Sequence, residues 1–277
     1  MPAASAPPPS SAPIGVFDSG VGGLSVLRAL REQLPRESFL YLADQAHVPY
    51  GPRPIQEVRA FSAAISRYLL ARGVKMIVVA CNTASAAALR RLRQTFPETP
   101  FVGMEPAVKP AAEGTQTGVV GVLATPATFQ GELYASVVER FAKGVTVLQD
   151  TCPGLVNQIE RGAVNGAEAR RILQTALDPM LARGIDTVVL GCTHYPFVIP
   201  LIEDIVGPQV RVIDPSPAVA RQAARVLRAN GNLRGGQERG EVRFLTTGDP
   251  AKMRAQVRSL LGAEAAVLQV DWEKIEA

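Results

Sequence analysis

Short apolar runs rich in β-branched residues alternate along the chain with longer stretches whose apolar positions recur every three or four residues. That is the pattern of strands followed by amphipathic helices. Residues 14–17, 39–42 and 76–80 read as strands, with helices over 24–34, 55–72 and 83–96. A second set follows, with strands at 119–123, 145–148 and 187–190 and helices at 129–141, 155–161 and 167–183. The pattern breaks at Asp214-Pro215-Ser216-Pro217 and resumes with a helix at 218–229, a strand at 242–245 and a helix at 250–261. Between them, residues 231–240 read as a polar, Gly-rich surface loop.

Two segments are nearly copies of each other. Gly73-Val-Lys-Met-Ile-Val-Val-Ala-Cys81-Asn82-Thr83 and Gly184-Ile-Asp-Thr-Val-Val-Leu-Gly-Cys192-Thr193-His194 are both apolar runs that end in a cysteine followed by small polar residues. The opening strand recurs as well: Ile14-Gly15-Val16-Phe17-Asp18-Ser19 aligns with Val120-Gly121-Val122-Leu123-Ala124-Thr125, which leaves Asp18 without a carboxylate counterpart. The duplication predicts an α/β fold of two similar parallel-sheet domains related by pseudo-two-fold symmetry, with the active site in the cleft between them. Residues 14–105 with 216–277 are expected to form a first, discontinuous domain and 106–215 a second.

Composition narrows the class. The chain has 277 residues, 47% hydrophobic and 19% charged, and no apolar run approaches the roughly 18 residues of a membrane span. Its first thirteen residues are almost entirely Ala, Pro and Ser and lack the basic start and apolar stretch of a secretory signal, so they read as a disordered extension on a cytoplasmic protein. Three cysteines in a chain this large predict free thiols in a reducing compartment and no disulfide framework. The net charge of +4 rests mostly on arginines set in predicted helices. No basic tract is interleaved with aromatics, so nucleic acid is not an expected partner, while a small anionic substrate is compatible.

In open parallel sheets ligands bind beyond the carboxyl ends of the strands. Asp18, Ser19, Asp44, Cys81, Asn82, Thr83, Thr125, Cys192, Thr193 and His194 all fall at such ends. Cys81 opens a helix, whose dipole is expected to lower the thiol pKa toward neutrality. Ser19-Gly20-Val21-Gly22-Gly23 could bring backbone amides close to an anion, but the dinucleotide fingerprint and the P-loop lysine are missing. Cys192 and His194 are separated by one residue, unlike zinc spacings, so no metal site is expected. Cys152, which has no repeat partner, reads as structural, and His47 as a loop residue.

Two acid/base groups facing each other across a carbon can invert it, one removing a proton as the other returns one. None of the lysines sits at a strand-end motif where pyridoxal phosphate would need one, so the reaction is expected to use no cofactor. Five motifs in order, Gly15-Val-Phe-Asp18-Ser19-Gly-Val-Gly-Gly, Asp44 with Val48-Pro49-Tyr50-Gly51, Ala80-Cys81-Asn82-Thr83-Ala84, Glu105-Pro106 and Gly191-Cys192-Thr193-His194-Tyr195-Pro196, resemble the glutamate racemases of the cofactor-independent aspartate/glutamate racemase superfamily.

That resemblance implies interconversion of L- and D-glutamate, supplying D-glutamate for peptidoglycan, by an enzyme that is commonly a homodimer. It assigns Cys81 to proton removal from D-glutamate with Asp18 in support, and Cys192 to L-glutamate with His194 and Glu160. It also implies that Asp18, Ser19, Tyr50, Gly51, Asn82, Thr83, Thr193 and His194 hold the substrate. The chain departs from the family pattern at Gly154, at Asn157, and at Gln45, where many members have threonine. Other readings are a racemase of aspartate or a hydantoin, a thiol hydrolase or acyl transferase using Cys192 with His194, and a non-catalytic amino-acid-binding module.

Overall fold

The computed structural model describes residues 9–276. The chain runs β1 (Ile14–Asp18), α1 (Leu24–Gln33), β2 (Phe39–Ala43), α2 (Ile55–Leu70), β3 (Met76–Val79), α3 (Asn82–Thr95) and β4 (Phe101–Gly103). It continues with α4 (Val108–Gly114), β5 (Val119–Ala124), α5 (Pro126–Gln130), α6 (Glu132–Phe141), β6 (Thr146–Asp150), α7 (Leu155–Glu160), α8 (Ala167–Leu181), β7 (Thr187–Gly191), α9 (Ile199–Val206) and β8 (Arg211–Ile213). It closes with α10 (Ser216–Ala229), β9 (Val242–Thr246), α11 (Pro250–Leu261), β10 (Val267–Gln269) and α12 (Glu273–Glu276). The strands form a six-stranded sheet in the order β10-β9-β2-β1-β3-β4 and a four-stranded sheet in the order β6-β5-β7-β8. Their pairings are parallel throughout.

The sequence repeat is a structural repeat. β1 lies between β2 and β3 as β5 lies between β6 and β7, with Gly15 opposite Leu40 and Ile77 and its counterpart Gly121 opposite Leu148 and Val188. Side chains packed over the strand crowd both positions. A Cβ on Gly15 would stand 3.3 Å from Leu69 and Val74, and one on Gly121 2.8 Å from Met180.

Strands β1, β2 and β3 are buried on both faces, which explains why they read as continuous apolar runs with no alternation. One face of the first sheet packs Ile14 and Val16 against Leu27, Ala223 and Val257 of α1, α10 and α11. Its other face packs Phe17 and Ile77 against Ile65, Leu69 and Leu89 of α2 and α3. The second sheet is covered by α8 and α9 on one side and by α4 and α6 on the other. Each fully buried Leu, Ile or Val in these layers contributes about 1.5–3 kcal/mol of transfer free energy.

Several elements differ from the sequence pattern. β4, β8 and β10 have three residues each, too few to display a periodicity. The single helix expected at 129–141 is two, α5 and α6, joined at Gly131, where a Cβ would lie 2.8 Å from Ala86 of α3. α10 starts at Ser216, with Pro217 accommodated in its first turn. Of the expected N-terminal extension, residues 1–8 lie outside the described residues. Residues 9–13 are placed against the first sheet: Ala12 is buried, Pro13 O accepts from Lys75 N–H at 3.0 Å, and Ser10 O accepts from the Lys75 ammonium. That ammonium is fully buried and stands 2.6 Å from Glu37 Oε2. The approach lies off hydrogen-bond geometry, so this contact is ionic.

Candidate active site

Cys81 lies two residues past the end of β3 and caps α3, its Sγ accepting from Ala84 N–H at 3.4 Å. Asp18 ends the neighbouring β1, fully buried, with Gly23 N–H donating to Oδ2 at 2.7 Å and the Ser19 hydroxyl 3.5 Å from Oδ1. The expected lowering of the Cys81 pKa by the helix is not what the surroundings produce. Burial pushes the thiol well above its ordinary value and the Asp18 charge adds to this, while the single Ala84 N–H opposes them. Cys81 therefore rests as a thiol. Asp18 is itself lifted by burial, against the pull of His194, Gly23 N–H and Cys81.

Cys192 holds the corresponding place after β7 and has different neighbours. His194 Nδ1 is 3.7 Å from its Sγ, and His194 Nε2 is 2.7 Å from Glu160 Oε1 at the end of α7. Burial draws the His194 pKa down, but Cys192 and Glu160 outweigh it and hold it well above the ordinary value. Burial likewise pulls Glu160 up, and the bond to His194, with Val21 N–H and the Lys252 charge, brings it below the ordinary carboxylate range. The pair is an imidazolium and a carboxylate, enclosed by protein.

The glycine loop after β1 serves these internal anions. Val21 N–H donates to Glu160 Oε1 at 2.9 Å and Gly23 N–H to Asp18. Side chains at Gly20 and Gly22 would collide with the Glu160 carboxylate and the His194 ring. The amides thus hold carboxylates of the protein itself.

Ser19, Pro49, Tyr50, Gly51, Cys81, Asn82, Thr83, Thr125, Val156, Cys192, Thr193 and His194 line one cavity of about 20 Å³. That is room for a water molecule or two, so an amino acid fits only when the cavity is wider than it is here. Asp18 and Glu160 stand behind the wall instead of on it. The Asn82 amide is buried at the wall, and neither its Nδ2 nor its Oδ1 has a partner in the protein. A buried amide left unpaired in this way fits a ligand carrying both acceptor and donor groups, as an α-amino acid does. Tyr50 is oriented by Asp44: its hydroxyl donates to Oδ2 at 2.6 Å, and Thr247 donates to Oδ1 at 2.8 Å. His47, read as a plain loop residue, also bonds Asp44 at 2.9 Å and stacks on Phe61.

Sequence reasoning did not single out Pro49 or Val156 as lining residues, and neither offers a polar signal. Thr125 was visible as a strand end, as was Asp44. Cys152 is buried in the second core with its N–H bonded to Asp150, and burial raises its thiol strongly. It does not line the cavity. Among the described residues no group of three or more His, Cys, Asp or Glu is arranged to hold a metal ion, and no helix is long and apolar enough to cross a membrane.

A larger groove of about 690 Å³ opens beside the cavity between α2, α3 and α6, with Arg53, Arg59, Arg90, Arg91 and Arg93 on its walls. Thr83 borders both. His194 lies within reach of Cys192, as a thiol hydrolase requires, yet that reading leaves Cys81 on the same cavity without a role.

Two parallel sheets with a thiol from each on one cavity define an isomerase of the amino-acid racemase class, and the Asp/Glu/hydantoin racemase family model matches residues 14–223. A glutamate racemase of Roseiflexus sp. (strain RS-1) is 49% identical over 267 residues, 95% of this chain and 98% of its own. The crystal structure of glutamate racemase from Thermus thermophilus in complex with β-chloro-D-alanine superposes with a TM-score of 0.81 at 40% identity, over 96% of this chain and 99% of that one. The glutamate racemase of Francisella tularensis in complex with D-glutamate gives a TM-score of 0.82 at 32% identity, over 94% and 97%. The chain belongs to the glutamate racemase family.

Proposed function

We propose that this chain interconverts L- and D-glutamate without a cofactor, by two-base proton transfer between Cys81 and Cys192. The observation that carries this reading is the presence of both cysteines, each just past the end of the equivalent strand in its half, on one cavity. The Cys192 thiolate, beside the His194 imidazolium, takes the α-proton of L-glutamate, and the Cys81 thiol gives its proton to the opposite face. Each step breaks one bond to hydrogen and forms one, so the carbon is inverted with no change of oxidation state. D-Glutamate runs the sequence in reverse. Donors at Ser19, Asn82, Thr83 and Thr193, in a site that excludes water, hold the carboxylate where charge develops. The arginines of the adjoining groove favour the approach of an anionic substrate.

Relatives of this chain are named as glutamate racemases, and one solved relative holds D-glutamate, which supports glutamate as the substrate. We infer the physiological role to be supply of D-glutamate for peptidoglycan, by a cytoplasmic homodimer whose protomer divides into 14–105 plus 216–277 and 106–215. The test is incubation with L-glutamate in deuterated water, following optical rotation and α-proton exchange for wild type, Cys81→Ser and Cys192→Ser. Racemisation without added cofactor, and its severe loss in both variants, is the expected result. Full activity in either variant would sink the two-base mechanism, and turnover of aspartate in place of glutamate would sink the substrate assignment.

A further inference from the structure

The Glu160 carboxylate carries more bonds from the first half of the molecule than from its own. Val21 N–H donates to Oε1, and the Gln256 side chain of α11 donates through Nε2 to Glu160 O at 2.6 Å and to Oε2 at 3.2 Å. Gln256 is buried, and an amide can be turned either way about its last bond. Here its orientation is set by Gln45, whose Nε2 donates to Gln256 Oε1 at 2.8 Å; Gln45 Oε1 in turn accepts from the Thr246 hydroxyl at 2.9 Å. Thr246 closes the chain by accepting from Gly248 N–H at 3.0 Å.

We propose that Gln45 and Gln256 are positioning residues for the second thiol, forming a relay Thr246–Gln45–Gln256–Glu160–His194–Cys192 that aligns the acid/base pair only when the halves are together. Every link has its donor facing an acceptor. Reversing the Gln256 amide would set an oxygen against both Glu160 acceptors and an NH2 against the Gln45 NH2. The relay explains the departure at position 45, because a threonine there is too short to span to Gln256 and offers one hydroxyl where glutamine offers an acceptor for Thr246 and a donor for Gln256. Parting of the halves separates Gln256 and Val21 from Glu160, so the carboxylate is fixed against His194 only in the closed form. Besides Cys192, the end of the relay, the charged and titratable groups facing this pair are Asp18, Lys252 and Tyr41, and none of these three belongs to it.

This inference rests on the two-base reading and is tested separately from it. Racemisation is measured for wild type, Gln256→Leu and Gln45→Ala, with primary deuterium isotope effects on kcat/KM for 2-deuterated L- and D-glutamate and circular dichroism to verify folding. In Gln256→Leu, kcat/KM is expected to fall about ten-fold for both enantiomers alike, as their equilibrium requires. The isotope effects are expected to move in opposite senses. That of L-glutamate rises, because Cys192 removes its deuteron in the step now slowed, and that of D-glutamate falls, because its deuteron leaves to Cys81. Gln45→Ala shifts both in the same senses by less. A merely structural role lowers the active fraction and moves neither isotope effect, so unchanged isotope effects in either folded variant would overturn the relay. Wild-type racemisation and its loss in Cys192→Ser decide the underlying mechanism independently.

Discussion

The hydroxyls of Thr83 and Thr125 lie 2.9 Å apart, one on the first turn of α3 and the other just past β5. A hydrogen bond therefore runs from the first sheet's half to the second's along the wall of the thiol cavity. Thr83→Val keeps the shape and deletes the bond, while leaving Thr125 its second bond to the Thr128 hydroxyl at 2.9 Å. Steady-state kinetics with L-glutamate should show kcat/KM reduced about two- to ten-fold, the worth of one neutral hydrogen bond. An unchanged value would mean that this contact has no share in closing the site.

Glu160→Gln keeps the bulk of the side chain and removes its charge. The His194 pKa is raised in the folded protein, so its charged form is present at neutral pH and is lost only as pH rises through the raised value. Without the Glu160 charge that value falls, and the basic limb of the pH profile of kcat/KM should move to lower pH. At neutral pH activity should drop about ten- to a hundred-fold, as expected for a lost bond between charged groups. A basic limb at the wild-type position would contradict the assignment of His194 as an imidazolium.

Asn82→Leu separates stability from activity. The amide is buried with both polar atoms unpaired, so an apolar side chain of similar size should leave the thermal midpoint unchanged or raise it. The same change should raise KM for glutamate about ten-fold or more through loss of a donor and an acceptor to the substrate. Calorimetry and kinetics on one preparation check both halves of the statement. A lowered midpoint with unchanged KM would reverse it.

The buried Lys75–Glu37 pair at the opposite end of the first sheet bears on stability alone. Glu37→Ala leaves a fully buried ammonium without its counter-charge and should cost about 3–5 kcal/mol in urea unfolding. Lys75→Met with Glu37→Gln, which removes both charges, should cost markedly less. Equal losses would show that the charge pairing is not what matters there.

Strands β1, β2, β3, β5 and β7 were legible because strands buried on both faces must be apolar throughout, and the duplicated run ending in Cys81 and Cys192 marked the two thiols directly. The residues that tune those thiols were less accessible. Gln256 sits on an amphipathic helix far along the chain, and only the tertiary fold brings it to Glu160. Gln45 stood out as an unexplained departure, and its reason appears only when α11 is packed beside it. The helix dipole does not lower the Cys81 pKa because burial and the adjacent Asp18, neither visible in the local sequence, outweigh the one amide at the helix start. Gly20 and Gly22 were read as open to an outside anion, whereas the second half of the molecule fills that space with Glu160 and His194.

The chain passes from the first sheet to the second after β4 and comes back after β8, since β9 and β10 join the first sheet beside β2. Two bodies tied by two separate strands of backbone behave like a door on two pins: rotation about the line through both attachments is easy, and sliding or twisting off that line is not. Any swing guided in this way would bring Cys81 and Cys192 back to the same mutual aim. The two crossings of the chain thus limit how one sheet can move on the other, a constraint that a single flexible tether would lack.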